Sequence, residues 1–486
     1  MAANNFKKAA AVLLAVCLIF CLCCCGNQSS KEAAVSIPAK AESSQAPQAE
    51  SKSPAPAESA VSKEEPKETP KEQPEEAPKE QPKEEPKVPI KPKPADKKPK
   101  SEVQPISMQK EQHNSYEWED DKLLVLSELK TATLWFDSAQ KYPQLAESMN
   151  QLAVMAKRTM EYEFENLCAN AREQMAMANV IPDKATSTLD IQVRRADSVV
   201  LSLLSDSYAD FGNIEDFRAM HGSCYDAQTG EQLAINDIVD VNNDLAEAVL
   251  KELNSHLLTG EPFAESAVEE YFANASYDSL SWALDYNGVT FYFGDGDIAE
   301  EGSGSQTATV SFAEYPELFK ERFTAVPDAY MVELPLDSPY FTDLDGNGDL
   351  EQLIVSGYFD SGVNSYSKFG IFTDAEGSYK YFDCFADKFS PYYVKTADGN
   401  FLYIFCEQSE GFEAGALLKV FDISGGKVAE VGEMNAAPGF VPSGAFRVPT
   451  DPNCFYLDDF DSMAQDMMAY SVGTNGMPVL KDSANG

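Results

Sequence analysis

Between residues 113 and 325, the hydrophobic positions of this chain follow two different periods. Alternating apolar and polar residues at 116–136 and 189–204 predict strands, the second stretch being long enough for a strand pair. Between these stretches, apolar residues recur three and four positions apart from residue 142 to about residue 177, which predicts one long amphipathic helix. The same spacing at residues 243–257 predicts a second main helix.

Two turn sequences in this region indicate neighbouring antiparallel strands. Thr229-Gly230 separates two short apolar stretches, and Asn287-Gly288 separates the halves of an apolar run that ends at Phe293. Both pairs contain the residue types that tight turns require. We therefore expect residues 113–325 to form an α+β module with an antiparallel sheet and two main helices.

Residues 326–486 are strand-rich and aromatic, with hairpins predicted at 369–382 and 417–431. This pattern predicts a β-rich C-terminal domain that is an open sheet or a sandwich. Aromatic residues cluster between residues 379 and 405. They could form a carbohydrate-binding platform, but packing between strands explains them better.

The first 112 residues carry targeting and spacing signals. Lys7 and Lys8 precede an apolar run that ends in Leu22-Cys23-Cys24-Cys25-Gly26. This run resembles a bacterial lipobox, so residues 1–24 are read as a lipoprotein signal peptide and Cys25 as the lipidated residue. The alternative is an uncleaved membrane anchor. Either reading places the chain at the cell membrane, on its extracellular face.

Residues 25–112 have the composition of a disordered tether. Proline recurs every fourth position from Pro66 to Pro86, interleaved with lysine, glutamate and glutamine. Such a segment lacks the apolar side chains needed to offset its ordering entropy. At about 3.1 Å per residue, it could reach on the order of 200 Å from the membrane.

The charge of the chain is concentrated in the part that is predicted to fold. The whole chain has a net charge of −41, and residues 113–486 alone hold 63 acidic and 21 basic residues, a net of −42. A protein this acidic repels phosphate backbones, so nucleic-acid binding is excluded as a function. The same field would attract a cationic partner.

One short segment has the ligand spacing of a calcium loop. Asp343, Asp345, Asn347 and Glu351 offer side-chain oxygens, and Asp349 offers its carbonyl. Position 12 of the loop is an isoleucine, so the bidentate glutamate of a helical EF-hand is missing, and the segment instead looks like the strand-flanked loops of integrin-type propeller repeats. Calcium is therefore the predicted cofactor, with a metal-free glycine turn as the alternative.

Several motifs occur in a fixed order between residues 142 and 315. They are Tyr142-Pro143 with Met149-Asn150, Ala196-Asp197-Ser198-Val199-Val200-Leu201-Ser202, Met220-His221-Gly222, Tyr225-Asp226 with Thr229-Gly230 and Leu233, Asp237-Ile238, Gly288-Val289-Thr290-Phe291-Tyr292-Phe293, and Val310-Ser311-Phe312 with Tyr315. The series resembles the extracellular module of the anti-sigma factor RsiV. Similar modules precede the catalytic domain of some peptidoglycan deacetylases and occur in bacterial lipoproteins.

The resemblance implies a sensor or binding module, because RsiV binds lysozyme. Only eight residues precede the apolar run, so we do not expect a sigma-binding segment. A deacetylase needs aspartate and histidine metal ligands, and His113, His221 and His256 show no such spacing. For His221, at the family's His-Gly position, we expect a structural role in a turn.

These observations favour a non-enzymatic, surface-tethered lipoprotein. It would recognise a cell-wall component such as peptidoglycan, or a wall-active protein such as lysozyme. The alternatives are a peptidoglycan hydrolase or an accessory subunit of one, and a structural envelope lipoprotein. Five cysteines beyond the signal (Cys168, Cys224, Cys384, Cys406 and Cys454) are an odd number, so no disulfide framework is predicted.

Overall fold

The computed structural model describes residues 101–178, 184–210, 217–257, 260–275, 280–360, 363, 365–408, 415–439, 445–459 and 467–481. The predicted signal peptide, Cys25 and the proline repeat lie outside these residues. In the described part of the chain, no helix combines the length and the apolar character needed to cross a membrane. The described residues form a β-rich α+β fold, as predicted.

A mixed seven-stranded sheet forms the first layer, in the order β20-β1-β2-β3-β4-β5-β6. Its strands are β1 (Met108–Glu119), β2 (Lys122–Leu134), β3 (Ala185–Ala196), β4 (Val200–Asp210), β5 (Phe217–Asp226), β6 (Gln232–Leu233) and β20 (Ala445–Val448). The β1–β2 turn places Asp120 and Asp121 at φ 47° and 63°, a conformation that short polar side chains tolerate. Strand β1 begins five residues before the predicted domain boundary at 113.

The long helix gives this sheet its one parallel pairing. Helices α1 (Phe136–Lys141) and α2 (Pro143–Ala178) connect β2 to β3, which run parallel from Val125 opposite Ala185. The predicted helix is thus confirmed, whereas the sheet, which was predicted to be antiparallel, contains one parallel pair among its described strands. A helical crossover of this length allows a strand to return in the same direction, which a tight turn cannot do.

A smaller unit packs helices against a three-stranded sheet. Its elements are β7 (Trp282–Leu284), β8 (Gly288–Phe293), β9 (Gln306–Ser311), α3 (Asn243–Ser255), α4 (Glu265–Asn274) and α5 (Glu321–Thr324). Helix α3 begins where the Asn242 side chain accepts a hydrogen bond from Leu245 N at 3.0 Å. The Asn-Gly hairpin and the second main helix are confirmed, whereas α4 has no counterpart in the sequence predictions.

His221 lies within strand β5, opposite Ser205, so the predicted turn role is wrong. Burial lowers the pKa of this imidazole below its usual range. The adjacent Gly222 is required by packing, because a Cβ there would lie 1.6 Å from the carbonyl oxygen of Trp282. The His-Gly pair therefore marks the close approach of β5 to β7.

The C-terminal strands form three sheets. The five-stranded sheet has the order β10-β15-β16-β17-β18, the four-stranded sheet β11-β12-β13-β14, and the last sheet β19-β21-β22-β23. The bounds are β10 (Tyr330–Glu333), β11 (Tyr340–Thr342), β12 (Glu351–Asp360), β13 (Ser365–Thr373), β14 (Lys380–Ala386), β15 (Lys388–Lys395), β16 (Asn400–Gln408), β17 (Gly415–Asp422), β18 (Ala429–Met434), β19 (Ala436–Pro438), β21 (Phe455–Asp459), β22 (Met468–Val472) and β23 (Pro478–Leu480). One apolar cluster lies between the five-stranded sheet and the sheet β11-β12-β13-β14, which pack together as in a sandwich.

The predicted division at residues 325 and 326 does not separate two cores. Strand β20 pairs with β1, with Val448 opposite Met108, and one apolar cluster contains residues from both sides of the division. Buried Lys110 donates hydrogen bonds to Asp190 at 2.8 Å and to Glu333 at 2.7 Å. Burial alone would lower the pKa of Lys110, but these two carboxylates raise it above its usual range.

Candidate metal site and exposed tyrosine face

The predicted calcium loop connects strands β11 and β12, whose last pair places Thr342 opposite Glu351. Gly346 and Gly348 lie in the left-handed region, at φ +80° and +99°. Glycine adopts this region without the steric cost that a side chain brings. The two glycines therefore fold the loop back on itself, so that its first and last acidic residues meet.

Three of the predicted ligands lie together. One carboxylate oxygen each from Asp343, Asp345 and Glu351 lies within 4.8 Å of the other two. Ligands on opposite sides of a calcium ion are about 5 Å apart, because each Ca–O distance is about 2.3–2.6 Å. The acidic cluster of Asp343, Asp345 and Glu351 therefore has the size of a metal site and could hold a metal ion.

Backbone hydrogen bonds hold these carboxylates in place. Asp343 accepts from Gly346 N at 2.6 Å and from Gly348 N at 3.2 Å, and Glu351 Oε2 accepts from Leu344 N at 2.6 Å. Each carboxylate oxygen has two lone pairs, so a second one remains for a cation. Burial raises the pKa of Glu351, the hydrogen bond from Leu344 opposes this rise, and the nearby aspartates add to it.

The other two predicted ligands have different surroundings. Asn347 Oδ1 accepts from Asp349 N at 2.6 Å, and Asn347 Nδ2 donates to Asp345 Oδ2 at 3.2 Å. The carboxylate of Asp349 is outside the acidic cluster, and its carbonyl was the predicted ligand. Asn347 and Asp349 thus stay predictions as ligands.

A buried polar chain supports the loop from beneath, each member donating to the next. Its six members, in donor order, are Tyr330, Asn287, Thr342, Tyr393, Asn400 and Leu344. The donor–acceptor distances run from 2.8 to 3.3 Å, and the chain ends where Asn400 Nδ2 donates to the Leu344 carbonyl. Such a chain fixes the loop backbone, since every member has a partner. Its members are scattered between residues 287 and 400, so no local sequence pattern pointed to them.

Some aromatic residues form an exposed surface on the sheet β11-β12-β13-β14. Tyr358 and Tyr381 meet edge to face with ring centres 5.3 Å apart, and Tyr379 stacks on Tyr381 at 6.1 Å. The Lys368 ammonium lies 5.0 Å and 4.8 Å from the ring centres of Tyr358 and Tyr381. We call these four residues the tyrosine face. Tyr381 is 53% exposed. The aromatic residues at positions 392, 393, 401, 403 and 405 are buried, so for those five the interpretation as packing between strands holds.

The histidines have separate partners. His113 Nε2 lies 3.6 Å from Glu111, while His256 lies between Asp374 at 3.3 Å and Glu252 at 3.7 Å. Partial burial lowers the pKa of His256, but its two carboxylate partners raise it to about 9. Within the described residues, the one group of three or more metal-ligating side chains is the acidic cluster, which contains no histidine.

The five cysteines beyond the signal are all free thiols. Cys168, Cys224 and Cys406 are buried, and Cys384 and Cys454 are partly exposed. A hydrogen bond with the Cys406 thiol lowers the pKa of Cys384, while the same contact and burial raise the pKa of Cys406. The structure thus contains no disulfide among these five described cysteines.

Comparisons with known proteins found solved structures that align with part of this chain. No family model matches the chain, and no curated protein matches it. A solved structure of a DUF3298 family member from Bacteroides fragilis shares 13% identity, covering 46% of this chain and 96% of its own, with a TM-score of 0.36. A DUF3298 family protein from Pseudomonas aeruginosa shares 12% identity over 46% of this chain and 97% of its own, with a TM-score of 0.26. The RsiV resemblance remains a prediction.

Proposed function

We propose that this chain is a lipid-anchored, calcium-binding protein on the extracellular face of a bacterial cell membrane, and that it binds without catalysis. The observation that carries the proposal is the acidic cluster within its hydrogen-bonded loop. Calcium suits it because calcium prefers six to eight hard oxygen ligands in adaptable geometry. Three carboxylates, the Asn347 side chain, the Asp349 carbonyl and water would complete the coordination.

Anchoring is proposed to occur through Cys25 after removal of residues 1–24. Acyl chains stabilise membrane attachment by about 0.8 kcal/mol per buried methylene. A Cys25→Ser variant should lose incorporation of labelled palmitate in growing bacteria, while the matched Cys24→Ser variant should retain it. Equal labelling of both variants would contradict lipidation at Cys25.

The proposed partner is a component of the cell wall, and the tyrosine face supports peptidoglycan. Tyrosine rings present flat apolar surfaces with polar edges, which suits the stacking of sugar rings. Lys368, held over two of these rings, adds a positive charge that peptidoglycan carboxylates could pair with. Lysozyme is the second candidate, because the net charge of −42 on residues 113–486 would attract a cationic protein.

Co-sedimentation with insoluble peptidoglycan tests the first partner. The full chain should sediment with peptidoglycan in calcium, less so in chelator, and a Tyr358→Ala/Tyr381→Ala variant should remain in the supernatant. Tyr162→Ala, which removes a 58% exposed tyrosine from α2, is the matched control. Calorimetric titration with lysozyme tests the second partner. The binding proposal fails if neither lysozyme nor peptidoglycan binds.

A peptidoglycan hydrolase, or an accessory subunit of one, is the alternative function. Its only motivation is the presence of similar modules in front of deacetylases. Incubation of the full chain with purified peptidoglycan should release no sugar, peptide or acetate under the proposed function. Release of any of these products, abolished by a single carboxylate substitution, would replace the binding proposal with the enzymatic one.

A further inference from the structure

A cleft of about 1390 Å³ lies between the C-terminal end of α3, helix α4 and the β11–β12 hairpin. Its remaining walls come from residues 260–264, from residues 296–300 and from the beginning of β9. The hairpin that forms one wall also carries the acidic cluster. Phe341 and Gln352 line the cleft, and they are paired across the two strands.

A buried acceptor without a partner lies in this wall. Gln352 is only 6% exposed, and its Oε1 has no hydrogen-bond partner among the described residues. Its backbone N–H, in contrast, donates to Asp374 Oδ2 at 2.8 Å. Buried amide oxygens are normally hydrogen-bonded, so an unpartnered one on a residue of the cleft wall is a candidate acceptor for an N–H or O–H donor from a ligand.

The charges around the cleft specify the sign of that ligand. Glu261, Glu270, Asp297 and Glu300 line it, and none of the described residues in its lining is a lysine or an arginine. The single basic residue in the lining, His256, is compensated because it pairs with two carboxylates. The lining therefore presents excess negative charge and attracts cations.

Aromatic rings add a second requirement. Phe263, Tyr271 and Phe341 line the cleft beside the carboxylates. Burial raises the pKa of Tyr271 to about 12, and the Asp297 carboxylate, which also lines the cleft, adds to the rise. Rings next to carboxylates suit a cation that can stack on an aromatic surface while it donates hydrogen bonds.

We infer that this cleft binds the cationic N–H donor group of an arginine or lysine side chain in a basic peptide segment. The guanidinium has five donors and no acceptor, so it satisfies Gln352 Oε1 and the carboxylates at once. A lysine ammonium offers three donors from a single point. The inference deepens the proposed binding function by giving the chemistry of a partner, and it does not depend on calcium.

Calorimetric titration with short peptides tests the cleft directly. The probes are N-acetylated, C-amidated Gly-Arg-Gly and Gly-Lys-Gly, with the neutral isostere Gly-citrulline-Gly as control, in 150 mM salt. The full chain should bind the arginine or the lysine peptide at least tenfold more tightly than the citrulline peptide. The tighter of the two cationic peptides identifies which side chain the cleft accepts.

Two cleft variants and one control locate the binding. Gln352→Leu removes the acceptor, and Glu261→Gln/Glu270→Gln removes two exposed carboxylates of the lining; each should weaken the cationic peptide at least fivefold. Glu165→Gln/Glu173→Gln removes the same charge from the exposed side of α2 and should leave affinity within twofold. Thermal unfolding of each variant identifies any that fails to fold.

The inference would be overturned if neither the arginine nor the lysine peptide bound more tightly than the citrulline peptide, or if the cleft and control variants lost affinity equally. Peptidoglycan or lysozyme binding is measured separately. If the cationic peptides do not bind but peptidoglycan or lysozyme does, the inference about the cleft fails and the proposed function stands. If the peptides bind but neither peptidoglycan nor lysozyme does, the inference about the cleft stands and these two proposed partners are removed.

Discussion

Glu163 on helix α2 makes the stability of the fold depend on pH. The residue is 7% exposed, and Ser187 Oγ donates to its Oε2 at 3.4 Å. Its other oxygen, Oε1, has no hydrogen-bond partner among the described residues, and neither has Nδ2 of Asn166 one turn further along the helix. Burial raises the pKa of Glu163 to about 7 from its ordinary 4.5, with the Ser187 hydrogen bond opposing the rise.

This pKa can be converted into an approximate free energy of unfolding. A rise from 4.5 to about 7 corresponds to about 3 kcal/mol, since each pKa unit is worth about 1.4 kcal/mol. Below pH 4.5 the carboxyl group is protonated in both states and no penalty arises. As the pH rises from 4.5 to about 7, the unfolded chain ionises this group while the folded protein keeps it protonated, so stability falls until the buried group also ionises. Glu163→Gln should therefore be stabilising, by up to about 3 kcal/mol above pH 7.

Urea unfolding followed by circular dichroism between pH 4.5 and 8.5 measures this effect. The difference in unfolding free energy between Glu163→Gln and the unaltered chain should be small at pH 4.5 and should grow with pH to a plateau above 7. Glu165→Gln, at an exposed position two residues away, should show no such growth. A Glu163→Gln difference that is independent of pH would refute the reasoning.

Three further predictions concern other parts of the fold. His256→Gln should lower the free energy of unfolding by about 2 kcal/mol at pH 6 and by less at pH 10. The raised pKa of about 9 gives stability that is lost as pH rises through that value, and partial exposure of the imidazole reduces this contribution. Equal losses at both pH values would contradict this prediction. Timed alkylation with mass spectrometry should label Cys384 before Cys406, and the reverse order would refute the assigned thiol contact. Gly222→Ala should cost more than about 2 kcal/mol in urea unfolding, because its Cβ would collide with the Trp282 carbonyl, and a neutral result would contradict the close approach of these strands.

Local signals in the sequence predicted much of the fold. The helical period predicted α2 to within a residue or two, and the turn sequences predicted the hairpins around Gly230 and Gly288. The spacing of acidic residues also brought together Asp343, Asp345 and Glu351 correctly, because all three lie within one short loop. These features depend on residues that are near one another in the chain, which is the range that periodicity and turn chemistry report.

Features that depend on distant residues could not be predicted. Strand β1 begins at Met108 in a segment of mixed polarity, and its outer partner is β20, more than 300 residues later. The parallel pairing of β2 with β3 depends on where α2 packs. The Gln352 acceptor and the polar chain beneath the metal loop likewise arise only when separate strands meet, and a single sequence has no local signature for such contacts.

The charged interior explains why the predicted domain boundary failed. Lys110, Asp190 and Glu333 come from three strands on both sides of that boundary, and buried Arg194 donates from Nη1 to the Glu333 carbonyl at 3.1 Å. Removal of one member of such a buried pair leaves an uncompensated charge, which typically costs about 3–5 kcal/mol. These contacts require both predicted regions to fold together.

Calcium titration of the full chain tests the central claim most directly. Calorimetry in 150 mM salt, after removal of metal with chelator, should show one calcium site in the unaltered chain and in Asp398→Asn, an exposed turn residue, but none in Asp343→Asn. Calcium at 100 times its dissociation constant should raise the unfolding free energy by about 2.7 kcal/mol only where the site is intact. An unaltered chain with no calcium heat and no stabilisation, or an Asp343→Asn variant that binds equally well, would contradict the account.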